Sequence, residues 1–255
     1  MPTSNRTSAE FDQFASNYHS AVNQSIAFSG LSVETFVAAK ARYLAEFLEA
    51  ERIAPDAPLL DIGCGVGTYE ALLGNRFSQM HGIDVSSESI KLAEQKVPLA
   101  RFSAYDGARI PYDDSSFAAA FAICVWHHVP PAAWPGFVAE AKRVLKPGGV
   151  FVVFEHNPWN PLTRWAVERC VFDKDAVLLS SPTARRFLNE GGFEKAGMRF
   201  ILNLPAVSGL PAKVDRFLGF AFEHQEGDAV FVPRLTRRAA SIDRGHGIFS
   251  CPIEF

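Results

Sequence analysis

Leu59-Leu60-Asp61-Ile62-Gly63-Cys64-Gly65-Val66-Gly67-Thr68 reads as a buried strand that runs into a glycine-rich turn and then into a helix. Glycine at every second position lets the backbone take up conformations that a Cβ forbids and lets a ligand come close to it. The helix that follows, expected from Thr68 to Phe77, aims its free amide groups back at the turn. Strand, glycine turn and helix in this order make a nucleotide-type pocket. So short a signal takes its weight from the rest of the chain.

Outward from that turn, short apolar strands are expected at 59–62, 80–84, 100–104, 118–124 and 150–155, with helices at 87–96 and 132–145 between them. Such alternation implies a parallel sheet with helices on both faces. The joints agree: Ser86, Ser87 and Glu88 make a helix start, and Lys146-Pro147-Gly148-Gly149 makes a sharp stop before the next strand. Upstream, Phe11, Phe14, Tyr18, Val22 and Ile26 recur at helical spacing until Gly30 breaks the pattern. From Ser32 to Ile53 the apolar positions Phe36, Val37, Tyr43, Leu44, Phe47 and Leu48 predict a second helix, lying against the sheet. Downstream, helices are expected from Thr163 to Val171, from Ser181-Pro182 to Gly191-Gly192 and from Lys213 to Phe222, with closing antiparallel strands at 193–204 and 229–233. The fold class is α/β: a Rossmann-like, doubly wound, mostly parallel seven-stranded sheet with an N-terminal helical lid and C-terminal substrate-side additions. Residues 1–54 form the lid, 55–160 the nucleotide-binding core, and 161–255 complete the sheet and the acceptor pocket, all within one structural domain.

Composition fits one globular domain with a full core, since 48% of the 255 residues are hydrophobic and 21% charged. A formal net charge of -3 without a long Lys/Arg run gives nucleic-acid binding little electrostatic support. No apolar run is long enough to span a bilayer and the N-terminus lacks a leader pattern, so a cytoplasmic location is expected. Cys64, Cys124, Cys170 and Cys251 are scattered with no C-x-x-C pair, which points to free thiols and argues against a zinc site or a disulfide framework. Many of the 22 phenylalanines follow residue 186, so the C-terminal part is read as an apolar chamber or as a contact in a homodimer.

Ligands of such sheets sit at the carboxyl ends of the strands. Asp84 ends the second strand roughly twenty positions beyond the first glycine, where a carboxylate can accept hydrogen bonds from both hydroxyls of a ribose. Capping the helix that starts at Ser86 is an equally good use for it. A dinucleotide fingerprint needs G-x-G-x-x-G, whereas this chain has G-x-G-x-G followed by Thr68. A cofactor with a ribose but no pyrophosphate is preferred.

With these residues in place the sequence resembles the class I S-adenosylmethionine (SAM)-dependent methyltransferases, in particular the group that acts on ubiquinone and menaquinone precursors. Asp61 to Gly67 is similar to that family's first motif, Gly82-Ile83-Asp84-Val85-Ser86 to its ribose-binding strand end, and Tyr105-Asp106-Gly107-Ala108 with Ile110-Pro111-Tyr112 to its adenine-side loop. Ser116-Phe117 through Val129-Pro130 resembles its fourth strand and exit, and Leu145 to Gly149 the turn before strand five. The likeness covers roughly residues 55 to 155 and implies SAM as cofactor. It places Asp61 on the loop or the cofactor's amino group, Gly63, Cys64 and Gly65 around its methionine portion, and Asp84 and Val85 at the ribose. Asp106 and Gly107 fall at the adenine and Cys124 beside the sulfonium. Tyr18, in Phe11-Asp12-Gln13-Phe14-Ala15-Ser16-Asn17-Tyr18, corresponds to a lid residue, or else belongs to the buried stripe of a helix. One departure is Ala118, where the family commonly has Asp after the phenylalanine.

The reaction implied is in-line transfer of a methyl group to a small-molecule acceptor, of aromatic or lipid-like character if Trp159, Trp165, Phe172, Phe187, Phe217, Phe220 and Phe222 line its cavity. Arg164, Arg169, Arg185 and Arg186 are anion-recognition candidates or solvated surface. His127, His128 and Glu155 are the candidate catalytic groups because they leave strands four and five beside the expected sulfonium. The alternatives are that the histidines cap the following turn and that Glu155 bonds to backbone at the Asn157 loop. Metal use is the other possibility for His127, His128, Glu155 and His156, since some methyltransferases use magnesium, but these residues lack a recognised metal-ligand spacing. Two other functions compete: a nicotinamide-dependent oxidoreductase, opposed by Thr68, and a SAM-binding scaffold without turnover.

Overall fold

In the computed structural model, the described residues are Asp12, 23–25, 32–201 and 228–234. In chain order they form α1 (Val33–Ala50), β1 (Pro58–Ile62), α2 (Thr68–Leu73), β2 (Gln79–Asp84), α3 (Ser87–Lys96), β3 (Arg101–Ala104) and β4 (Phe117–Ile123). There follow α4 (Trp134–Val144), β5 (Leu145–Glu155), α5 (Pro161–Arg169), α6 (Ser181–Glu190), β6 (Glu194–Ile201) and β7 (Asp228–Arg234), with short 3-10 turns at Trp126–His128, Pro131–Ala133 and Val171–Asp173. The strands lie in one sheet in the order β3-β2-β1-β4-β5-β7-β6. β1 to β5 are parallel, and β7 runs antiparallel to both β5 and β6.

The period of two along the central strands sorts their side chains into two cores. Leu60, Ile62, Ala120, Ala122, Phe151 and Val153 face one side, where they pack with Phe137, Val138, Ala141 and Val144 of α4 and with Ala184 and Leu188 of α6. Leu59, Ala119, Phe121, Val150, Val152 and Phe154 face the other, against Ala41, Leu44, Ala45 and Leu48 of α1. Strands buried on both faces read as continuous apolar runs, which is why β4 and β5 lack alternation in sequence. The helix expected over 32–53 thus lies against the sheet, so within residues 1–54 this part serves as a core layer. The segment expected as a lid, with Phe11, Phe14 and Tyr18, lies outside the described residues, as does the helix expected over 213–222.

Two joints differ from expectation. The helix after the glycine turn ends at Leu73, short of Phe77, because Gly74 and Asn75 are poor helix formers. The Lys146–Gly149 segment is an excursion inside β5: Phe117 pairs with Leu145 and Ala119 with Val150, so only Ala118 of β4 lies opposite it. A Cβ on Gly149 would stand 2.8 Å from the Lys146 carbonyl and 3.1 Å from that of Ala118. No helix among the described residues is long and apolar enough to cross a membrane.

Because α1 seals one face of the sheet through fully buried leucines, Leu44→Ala should lower unfolding free energy by about 2–5 kcal/mol in urea titration. A loss below about 0.5 kcal/mol, the range of a surface substitution, would mean that α1 does not belong to the core.

Candidate functional site

The parallel order brings the ends of β1, β2 and β4 to one edge of the sheet. There the turn after β1 holds Gly63, Gly65 and Gly67 at φ of 83°, 53° and 70°, a region that glycine enters at little cost. Amides of Gly63 and Cys64 donate to the Ile83 carbonyl at 2.7 and 3.0 Å, anchoring the turn on β2. A Cβ on Gly63 would come 2.4 Å from Val125 Cγ2, whereas a Cβ on Gly65 would meet nothing within 4 Å. The first glycine is therefore needed for packing and the second faces an opening.

Asp84 fixes that turn. Its Oδ2 accepts the Gly65 amide at 2.8 Å and its Oδ1 the Ser86 amide at 2.8 Å. Helix capping and loop binding, alternatives in the sequence, are one arrangement here. Burial pushes the Asp84 carboxyl up, against the amides of Ser86, Gly65 and Val85 that favour its anion. Asp12 approaches the same junction from the N-terminal segment, its Oδ1 accepting from Ser86 Oγ at 2.6 Å and from the Glu88 amide at 3.1 Å. These bonds hold the Asp12 carboxyl below its usual range.

Beneath the turn are two more carboxyl groups, Asp61 at 1% exposure and Glu70 at 0%. Apart from each other, their four oxygens have no hydrogen-bond partner among the described residues. Burial, with mutual repulsion and Asp84 nearby, raises Asp61 well above the usual carboxylate range; burial pushes Glu70 up to about 8. A buried polar group without a partner is costly, so such a pair is ready for a cationic ligand. Cys64 points elsewhere. Its side chain is buried with Ile90, Ala93 and Phe102, and burial drives its thiol pKa far up, so only its backbone faces the turn.

The other expected cofactor residues flank this edge. Val85 lies beside Gly107, whose φ is 78° and whose Cβ would stand 3.3 Å from Val85 Cγ1. Asp106 is exposed and uses Oδ1 to accept the Ala108 and Arg109 amides at 2.8 and 2.9 Å, shaping its own loop. Those bonds lower its pKa. At the exit of β4, Cys124 holds a left-handed φ of 58°, unusual for a residue with a Cβ. Its Sγ is 3.0 Å from Nζ of Lys40, a lysine that α1 buries at 6% exposure. Tyr18 falls outside the described residues.

The three candidate catalytic groups form a second cluster. Glu155 is fully buried; its Oε1 accepts the amides of Val125 at 3.2 Å and Trp126 at 2.7 Å, and its Oε2 pairs with His127 Nδ1 at 2.6 Å. Asp173, from the 3-10 turn after α5, stands 3.5 Å from His127 Nε2 and 3.4 Å from His128 Nε2. Burial alone would lower His127, but Glu155 and Asp173 outweigh it and bring it up to about 9. Burial would raise Asp173, and the histidines prevail to hold it well below the usual carboxylate range. At neutral pH His127 already carries its proton and Glu155 is committed to two amides, so neither is free to take a proton from an acceptor. His128, at 20% side-chain exposure, has the most open side of the three.

Of the aromatic residues expected around an acceptor, Trp159 and Trp165 are exposed, while Phe172 is buried. Phe187 packs edge-on against Trp134 at 5.4 Å and belongs with the core, because α6 covers α4 there. Phe217, Phe220 and Phe222 lie outside the described residues. Arg164 and Arg186 form exposed i,i+4 pairs with Glu168 and Glu190. Glu70 and Asp173 were not singled out by sequence reasoning, and Asp12 appeared only as part of the motif that ends at Tyr18, with no role of its own.

Residues 60–153 match a family model described as a methyltransferase domain. A 2-methyl-6-phytyl-1,4-hydroquinone methyltransferase of Synechocystis is 29% identical over 130 residues, which cover 48% of this chain and 40% of that protein. A demethylmenaquinone methyltransferase of Beutenbergia cavernae is 32% identical over 148 residues, covering 56% of this chain and 61% of the relative. The chain thus spans about half the length of the curated relatives it matches. A solved SAM-dependent methyltransferase from Thermotoga maritima superposes with a TM-score of 0.60 at 19% identity, over 88% of this chain and 97% of that one. At that identity the likeness speaks for the fold.

A Glu70 carboxyl raised to about 8 binds a proton in the folded state that the unfolded chain has released above its ordinary 4.5. The folded protein therefore loses stability from this group as pH rises between those values, and the contribution is level outside them. Glu70→Gln should make the decline in urea-measured stability between pH 5 and pH 8 shallower. An identical slope in the variant would contradict the burial of an ionisable pair under the turn.

Proposed function

We propose that this chain, which carries a class I SAM-dependent methyltransferase domain at residues 60–153, transfers a methyl group from SAM to a small apolar or aromatic acceptor. The observation that carries the reading is the pair of buried carboxyls at Asp61 and Glu70, with no partner but each other among the described residues, beneath a glycine turn that opens at Gly65. SAM presents an ammonium and a sulfonium, both cations, beside which these carboxyls would ionise; the pyrophosphate of a nicotinamide dinucleotide is an anion and offers them no such partner. That argues against the oxidoreductase alternative on charge as well as on glycine spacing.

When bound, SAM supplies an electrophilic methyl carbon on sulfur, so the work left to the protein is binding, alignment and exclusion of water. In our reading Asp84 keeps the Gly65 amide in place and offers its remaining lone pairs to the ribose hydroxyls. Asp61, with Glu70 behind it, holds the amino group. Val85 and the Asp106-Gly107 loop border the adenine, and Cys124 and Val125 border the methionine end. Glu155 and His127 act as positioning residues: by tying down the Val125 and Trp126 amides they fix the β4 exit that packs on Gly63. His128 is the group of this cluster with access to the acceptor.

The N-terminal segment with Tyr18 serves as a lid over the cofactor, a role supported by Asp12, which is bonded to the start of α3 next to Asp84. The acceptor enters beside the loop and helix that follow β5. Exposed Trp159 and Trp165 there, and the quinone-type substrates named for two relatives, support an aromatic or lipid-like molecule.

Calorimetry with S-adenosylhomocysteine tests the assignment. The parent chain should bind it and not NAD, and Asp84→Ala should weaken binding at least tenfold with an unchanged far-UV spectrum. Unchanged affinity in that variant, or NAD binding by the parent, would overturn the reading.

A further inference from the structure

We infer that His127, His128 and Asp173 form a binding site for a divalent first-row transition-metal ion at the carboxyl ends of β4 and β5. The two Nε2 atoms stand 3.5 and 3.4 Å from Asp173 Oδ1, and the ligand atoms of all three residues lie within 4.8 Å of one another. Those separations are longer than the about 2.7–2.9 Å of short charge-assisted hydrogen bonds, so the His127–Asp173 contact is a loose one. They match instead the edge of a tetrahedron of N and O ligands, about 3.4 Å when each bond to the ion is about 2.0–2.1 Å.

The surroundings hold the three atoms in this arrangement. Glu155 Oε2 at 2.6 Å from His127 Nδ1 sets which ring nitrogen faces inward, leaving Nε2 toward Asp173. A carboxylate behind a histidine in this way orients metal-ligating imidazoles and raises their basicity. His127 and His128 are adjacent in one 3-10 turn, with rings 4.1 Å apart. The segment bearing Asp173 is pinned to that turn by the Val177 amide, which donates to the His127 carbonyl at 2.8 Å. Two carboxylates, Glu155 and Asp173, flank His127, so the cluster favours a cation, and an ion bound at His127 Nε2 would displace to solvent the proton that this nitrogen carries at neutral pH.

Two imidazoles and one carboxylate suit Zn²⁺, Fe²⁺, Mn²⁺ or Co²⁺ better than the all-oxygen preference of Mg²⁺ or Ca²⁺. Three protein ligands also leave coordination positions free, as in catalytic rather than structural sites. His127 and Asp173 are nearly buried while His128 is 20% exposed, so the free positions open on the His128 side. An oxygen of the acceptor is the ligand expected there; this part of the inference rests on the methyl-transfer reading, whereas binding of the ion does not. Spacing along the chain conceals the site because Asp173 comes from beyond α5.

The full chain, stripped with a chelator and dialysed, is titrated with Co²⁺ while its visible ligand-field bands are followed, and Zn²⁺ is then added as competitor. S-adenosylhomocysteine binding is measured on the same samples. We expect one Co²⁺ per chain, displaced by Zn²⁺, with affinity lowered at least tenfold in both His128→Gln and Asp173→Asn. Absence of a saturable band in the parent chain overturns the inference whatever the variants do, as does unchanged affinity in both variants. Cofactor binding without metal binding contradicts this site alone; metal binding without cofactor binding contradicts the methyl-transfer reading alone.

Discussion

Asp84 joins the ends of β1 and β2. One carboxylate oxygen takes the amide of Gly65 and the other that of Ser86, so the glycine turn and the start of α3 share a single anchor. The turn has left-handed dihedrals at three alternate positions, and its three glycines offer no side chains to hold that shape. Through the amides of Gly63 and Cys64 it is bonded to β2, and through Val125 it is packed against the exit of β4. The opening at Gly65, the repelled carboxyls of Asp61 and Glu70 below it, and the approach of Asp12 from the N-terminal segment all depend on that geometry.

The β4–β5 side has an equivalent anchor in Glu155. Its two oxygens serve the Val125 and Trp126 amides and the His127 ring, and since Val125 sits on Gly63, the two clusters communicate through one side chain. A buried ion pair of this kind contributes little net stability compared with apolar packing, yet breaking it strands a charge. What it provides here is a defined β4 exit and a fixed His127 ring.

Much of the fold was legible because the parallel strands and their helices obey simple periods, and because caps such as Ser86 and breaks such as Gly148-Gly149 punctuate them. Where the reading missed, local propensity competed with tertiary pairing: the 146–149 turn became an excursion within a strand because Leu145 also pairs with Phe117. The glycines, Asp61 and Asp84 could be read from their motif. Their partners could not. Glu70 sits on a helix with no polar signature, Asp12 contacts Ser86 across 74 positions, and Asp173 belongs to a turn after α5; all three are products of the fold. The catalytic candidates illustrate the converse, since spacing put His127 just past β4 and Glu155 at the end of β5 but only burial and hydrogen bonding reveal that they hold each other. An acceptor pocket drawn from aromatic residues was least legible, as Phe187 shows by packing into the core.

The central claim is that the carboxyl pair beneath the glycine turn is built for a cationic cofactor. Calorimetric binding of S-adenosylhomocysteine near pH 7, repeated in buffers of different ionisation enthalpy, measures it directly. An ammonium brought to Asp61 and Glu70 would return the pair toward its charged form, so the account predicts release of about one proton per cofactor bound. Binding with no proton release, or with uptake, would contradict it.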